Sequence, residues 1–159
     1  MKVFKRIRVY LLVALSSQLI AFSCTTIDLF EKSVTIPGHA WDNSFRPSFD
    51  FTIKDTSSLY QLYLVLRHTE KYNYTNIYIH LYARVPGQDS TIKIQRDLLL
   101  ATKEKGWLGI GMDDIYDHRI ALGDPEILKP GKYTFTLEQI MRENPLQHVL
   151  NAGIRIEKK

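Results

Sequence analysis

Between residues 59 and 85 apolar side chains return at every second position. Leu62, Leu64 and Leu66 form one set, and Ile77, Ile79, Leu81 and Ala83 form another. A period of two places such residues on one face of a β-strand, whereas a helix needs spacings of three and four. Each run therefore predicts a strand with one buried and one outward face. Successive strands usually lie side by side, so the expected arrangement is an antiparallel hairpin with Leu64 opposite Ile79 and Leu62 opposite Leu81. A slip of one residue would turn one apolar face away from the other.

The same register sets Tyr63 opposite His80, Gln61 opposite Tyr82 and Arg67 opposite Asn76 on the outward face. With Tyr78 and the loop residues Tyr72 and Tyr74, the sheet gains an aromatic and basic stripe. One reading is a platform for gripping a protein or stacking sugars, because tyrosine gives rigid contact area with a polar tip. The other is plain strand propensity and cross-strand pairing, or cover by another element. Tyr63, Arg67, Tyr78, His80 and Tyr82 are the candidate partner-binding residues of this stripe.

The same alternation recurs elsewhere. Residues 29–36 alternate before Pro37 and Gly38, Phe49, Phe51 and Ile53 follow Pro47, and Ile92 and Ile94 alternate within residues 91–100. Pro86 and Gly87 occupy the central positions of a type II turn. Pro130 and Gly131 feed a strand that opens with Tyr133, the placement of a tyrosine corner, in which the hydroxyl bonds back to upstream backbone. Residues 138–142 read as one helical turn, stopped near Pro145. Residues 148–157 close the sheet with Ile154 and Ile156 on one face. About eight short strands separated by turn residues predict an all-β, antiparallel, immunoglobulin-like β-sandwich with little helix.

Ahead of the strands stands an export signal. Lys2, Lys5, Arg6 and Arg8 precede an apolar segment over residues 9–22, interrupted by Ser16, Ser17 and Gln18. That segment is shorter than the roughly 20 apolar residues of a membrane-spanning helix and fits a signal peptide. Its exit can be cut in two ways. Ala21 and Ser23 suit ordinary cleavage, while Ser23 and Cys24 suit a lipoprotein junction, where the thiol receives a diacylglycerol. Cys24 is the chain's single cysteine, so it has no internal disulfide partner. Lipidation of Cys24 is the reading adopted, and two or more acyl chains hold a protein stably on a bilayer. The expected organisation is a signal peptide over residues 1–23, a lipidated tether over 24–28 and a single domain over 29–159.

Cleavage also removes the basic balance. Four of the 21 lysines and arginines lie in the leader, leaving 17 against 17 acidic residues. A neutral mature chain argues against nucleic acid as a partner.

Residues 106–117 are the least strand-like stretch. Gly106, Gly109 and Gly111 lack the spacing of a phosphate loop. Asp113 and Asp114 cap a helix in one reading. In the other, Asp114 and His118 stand one helical turn apart as metal ligands, but a third ligand is missing, so no metal is assigned. No cofactor is expected. His39, His68, His80, His118 and His148 are scattered, and neither a nucleophile elbow nor a zinc-protease motif is present, so the chain is not expected to be an enzyme.

Several blocks together carry a family resemblance. Glu138 through Leu146, Asn151 through Glu157, Gly106 with Trp107, and Gly111 through Ile115 closely resemble the gliding-motility lipoprotein family GldH, and Ile53 to Thr56 and Val65 to Thr69 fit it too. The resemblance implies a lipoprotein of the Bacteroidota envelope, with Cys24 as the lipidated residue and the membrane held through that anchor. It implies partners among other envelope or gliding-machinery proteins and a link to type IX secretion. It carries over no catalytic residue. Trp107, Asp113 and Asp114 join the stripe as candidate partner-binding residues. A glycan-binding module of the envelope is the alternative.

Overall fold

The computed structural model describes residues 29–159; the expected signal peptide, Cys24 and the expected tether lie outside the described residues. In chain order the strands are β1 (Leu29–Thr35), β2 (Ala40–Trp41), β3 (Ser48–Ile53), β4 (Leu59–Thr69), β5 (Asn76–Arg84), β6 (Ile92–Leu99), β7 (Ala101–Thr102), β8 (Gly106–Trp107), β9 (Ile110–Met112), β10 (Ile115–Ala121), β11 (Glu126–Ile127), β12 (Gly131–Gln139), β13 (Leu146–Gln147) and β14 (Val149–Lys158). A 3-10 turn at Pro37–His39 is the helical element among the described residues. Every strand pair is antiparallel.

Two sheets face each other. The first runs β1-β14-β4-β10-β9, with β11 also on β4, and the second runs β3-β12-β5-β6. Alternation makes this work, because each strand offers one apolar face and the two sheets enclose them together. Leu64, Leu66, Ala152 and Ile154 of the first sheet are buried, as are Phe49, Ile77, Ile79, Leu81 and Leu137 of the second. Trp41 and Leu146, paired across β2 and β13, close one end. That end, which also holds Thr69 and Asn76, is called distal; Leu29, Leu59 and Gly131 mark the opposite end.

β4 and β5 do not form the expected hairpin. β4 pairs with β14 and β10, and β5 pairs with β12 and β6. The chain crosses between sheets over residues 70–75, where the buried Tyr72 donates its hydroxyl to the Asn76 carbonyl at 3.0 Å. Alternation dictates which face is buried and leaves the neighbour open. Facing across the core hides both apolar faces as well as lying side by side would.

The turn at Pro86 and Gly87 forms as expected, with the Gln88 amide bonding the Val85 carbonyl at 3.3 Å and Gly87 at φ 77. The tyrosine corner forms too, the Tyr133 hydroxyl donating to the Lys129 carbonyl at 3.1 Å. The helical turn over residues 138–142 does not. Glu138 and Gln139 extend β12 opposite His80 and Ile79. The buried Gln139 side chain then organises the bend, donating to the Trp41 carbonyl at 3.0 Å and accepting from the Met141 amide at 2.8 Å. A residue expected in a helical turn is in fact the hydrogen-bonding hub of a buried corner.

Candidate distal binding site

The sandwich pairing splits the stripe. Tyr63 and Arg67 lie on the outer face of the first sheet, while Tyr78, His80 and Tyr82 lie on the outer face of the second. The pairs Tyr63 with His80, Gln61 with Tyr82 and Arg67 with Asn76 do not exist. Arg67 instead grips Asp117 through two bonds of 2.6 and 3.0 Å, holding that carboxyl below its ordinary range. Tyr63 carries the Lys159 ammonium 5.6 Å from its ring centroid.

On the second sheet, Glu138 gathers three partners. It accepts from the Tyr82 hydroxyl at 2.6 Å and from His80 Nδ1 at 3.1 Å, and it pairs with Arg46. Burial opposes ionisation of Glu138, but these partners outweigh it and keep the carboxyl below its usual range. The Tyr82 ring lies beside Arg46 at 6.0 Å and Lys93 at 5.6 Å. Tyr78 is the more open ring of this face.

Trp107, Asp113 and Asp114 lie together at the distal end. β9 and β10 form a hairpin whose turn holds Asp113 at φ 54, a conformation that aspartate tolerates better than most residues. The Asp114 carbonyl accepts from the Glu70 amide at 2.7 Å and ties the turn to the crossing loop. This is a strand hairpin where a capped helix was one expectation, so Asp114 and His118 are not a helical turn apart. Among the described residues no group of three or more His, Cys, Asp or Glu is placed to hold a metal ion.

Beneath the hairpin the fold brings two of the scattered histidines together. His68 of β4 and His118 of β10 are buried, with Nε2 atoms 2.9 Å apart. His68 Nδ1 lies 2.7 Å from the Thr69 carbonyl, which can only accept. His68 therefore carries its proton on Nδ1, its Nε2 accepts, and His118 Nε2 donates. Trp107 packs on His68 with ring centroids 4.4 Å apart, and Tyr72 and Tyr116 complete the cluster at 5.0 and 5.8 Å. Burial lowers both imidazoles, and the neighbouring His68 helps to push His118 down to about 4. Both rings are neutral at pH 7. Parity was the available signal: His68 continues the inward set of Leu64 and Leu66, and His118 shares its face with Ile120.

Gly109 completes the fit. A Cβ there would fall 2.6 Å from the Asp117 carbonyl and 2.8 Å from His118 Nε2, so only glycine lets the chain pass on its way into β9. Above this support the side chains turn outward. Ile110 and Met112 are each 73% exposed, and Leu99 and Leu108 are also open. A cleft of about 380 Å³ runs between Leu99, Leu108 and Ile120 beside His118. Sequence reasoning singled out Trp107, Asp113 and Asp114 but missed Leu108, Ile110 and Met112.

Two facing antiparallel sheets with a tyrosine corner, an exposed apolar hairpin at one end and charges engaged in pairs define an immunoglobulin-like β-sandwich. Residues 28–156 match the family described as GldH lipoprotein, and the chain belongs to that family. It is 26% identical over 146 residues to a gliding motility lipoprotein GldH homolog of Christiangramia forsetii, covering 86% of this chain and 87% of that one. It is 24% identical over 157 residues to the gliding motility lipoprotein GldH of Flavobacterium johnsoniae, covering 92% and 95%. The infectious bursal disease virus VP2 subviral particle gives a TM-score of 0.31 at 16% identity, over 80% of this chain and 32% of that chain, too slight a likeness to carry an argument.

Proposed function

We propose that the protein is a lipid-anchored, non-catalytic subunit of the gliding-motility machinery of the cell envelope, linked to type IX secretion, and that it docks a protein partner through its distal hairpin. Membership of a lipoprotein family and the names of the two relatives support the envelope and motility parts of this reading. The single observation behind the docking part is the row of exposed apolar side chains on a braced hairpin: Leu108, Ile110 and Met112 stand open above the His68, His118 and Trp107 cluster. Apolar anchors on a pre-organised support are what an interface needs at its centre, because little ordering cost remains on binding. Tyr63 with Arg67 and Tyr78 with His80 and Tyr82 would then serve as two separate, smaller contact faces.

A photocrosslinking residue at Met112 in native membranes should capture another envelope protein. With the crosslinker kept at position 112, Leu108→Asp with Ile110→Asp should abolish that capture while leaving the thermal midpoint unchanged. Undiminished capture would remove the hairpin from the interface. The exposed Tyr78 favours the alternative of glycan binding; calorimetric binding of envelope polysaccharides by the isolated domain, lost in Tyr78→Ala, would establish it.

A further inference from the structure

The end of the sandwich opposite the hairpin carries its own apolar group. Leu29, Leu59 and Ile127 are 48%, 45% and 63% exposed. Ile127 lies directly opposite Leu59, and Leu29 reaches the same corner through Glu157 and Gln61. All three point outward from the first sheet, because their neighbours Phe30, Tyr60 and Leu128 pack toward the interior. Strand spacing of about 4.8 Å and a rise of about 3.3 Å per residue put Leu29 and Ile127 about 16 Å apart. The charges between them are matched: Lys159 pairs with Glu157 at 3.0 Å, and Lys158 with Asp55 at 2.8 Å.

We propose that this corner of the first sheet rests on the lipid surface, with Leu29, Leu59 and Ile127 entering the headgroup region. The placement rests on the anchoring at Cys24 proposed above. Four residues separate Cys24 from Leu29, and a chain of that length spans at most about 18 Å. An anchored Cys24 therefore holds Leu29 within that distance of the bilayer, and the corner is the exposed apolar surface nearest to it. The rim mixes Lys54 and Lys129 with Asp124 and Glu126, so contact comes from the tether and apolar insertion and not from lipid charge. β4 runs from this corner to the distal end, ten residue steps or about 33 Å along the strand, so a protein seated on this corner holds the hairpin clear of the surface.

The test uses the full lipidated chain in phosphatidylcholine vesicles. Cys24 is the only cysteine and its sulfur carries the lipid, so Ile127→Cys or Met112→Cys supplies the sole free thiol for a polarity-sensitive dye. The dye at 127 should shift to the blue and be quenched by headgroup nitroxides, whereas the dye at 112 should respond to neither. Anionic vesicles should give the same result as neutral ones, and Leu59→Asp should weaken the quenching while the protein still floats with vesicles. A protein that floats with its 127 dye open to water overturns the placement alone. Failure to float overturns the anchoring reading and the placement with it. A 127 dye shielded without vesicles, in the Cys24→Ser chain lacking its leader, shows that another part of the protein covers the corner and also overturns the placement.

Discussion

The His68 and His118 rings share one N–H between them at 2.9 Å, and neither has a carboxylate partner among its bonds. Charging either ring means placing a cation among Trp107, Tyr72 and Tyr116, which is why burial lowers both. The unfolded chain binds these protons near the ordinary histidine value of about 6.5, and folded His118 binds its own near 4. Stability from the pair is thus fully present above about pH 6.5 and falls as pH drops through that window. Urea unfolding should show a midpoint declining between pH 6.5 and 4, and His118→Asn should flatten that decline. Carboxylates such as Glu31 and Asp117, lowered by their arginine partners, respond only from about pH 4.5 downward, at the acid edge of this window and below it. Gly109→Ala should lower stability by about 1–3 kcal/mol, the usual cost of forcing atoms into a packed site, because its methyl would meet the Asp117 carbonyl and His118. Chemical denaturation measures this directly.

β14 is the element that joins the chain's ends. It binds β1 on one side and β4 on the other. Above it on the outer face, Arg119 of β10 reaches Glu31 of β1 at 2.9 and 3.0 Å, and Arg155 of β14 meets the same carboxylate at 2.9 Å. That bridge spans four strands, and Gly153 shares a row with Arg119, Val65 and Ser33. A Cβ on Gly153 would fall 2.4 Å from the Lys32 carbonyl and 2.6 Å from Ser33. Gly153→Ala should therefore loosen β1 selectively, seen as faster amide exchange at residues 30–34 with β5 and β12 protected. Tyr133→Phe removes the corner bond to Lys129 and should cost about 1 kcal/mol by denaturant unfolding, the usual net worth of one such bond.

Across the whole molecule the longest pairings join residues far apart in sequence. Among the described residues β14 is the sheet partner of β1, and β4 loses one full side without it. A chain ending at Gln147 leaves Leu64 and Leu66 without Ile154 and Ala152 beside them. It should remain unfolded, shown by lost dispersion in amide spectra, because non-local pairing gains nothing until both partners exist.

Period-two alternation marked β1, β3, β4, β5, β6 and β14 in the sequence, and proline with glycine marked the turn at residues 85–88, since each signal depends on residues close in the chain. Tyr133 was legible for the same reason, its bond spanning four residues. Strand partners, the split of Tyr63 from Tyr82, the extended Glu138 and Gln139, and the meeting of His68 with His118 were decided only in the tertiary structure. Each depends on which apolar face meets which across the core, and a repeat of two is satisfied equally by a neighbour beside a strand or a sheet opposite it.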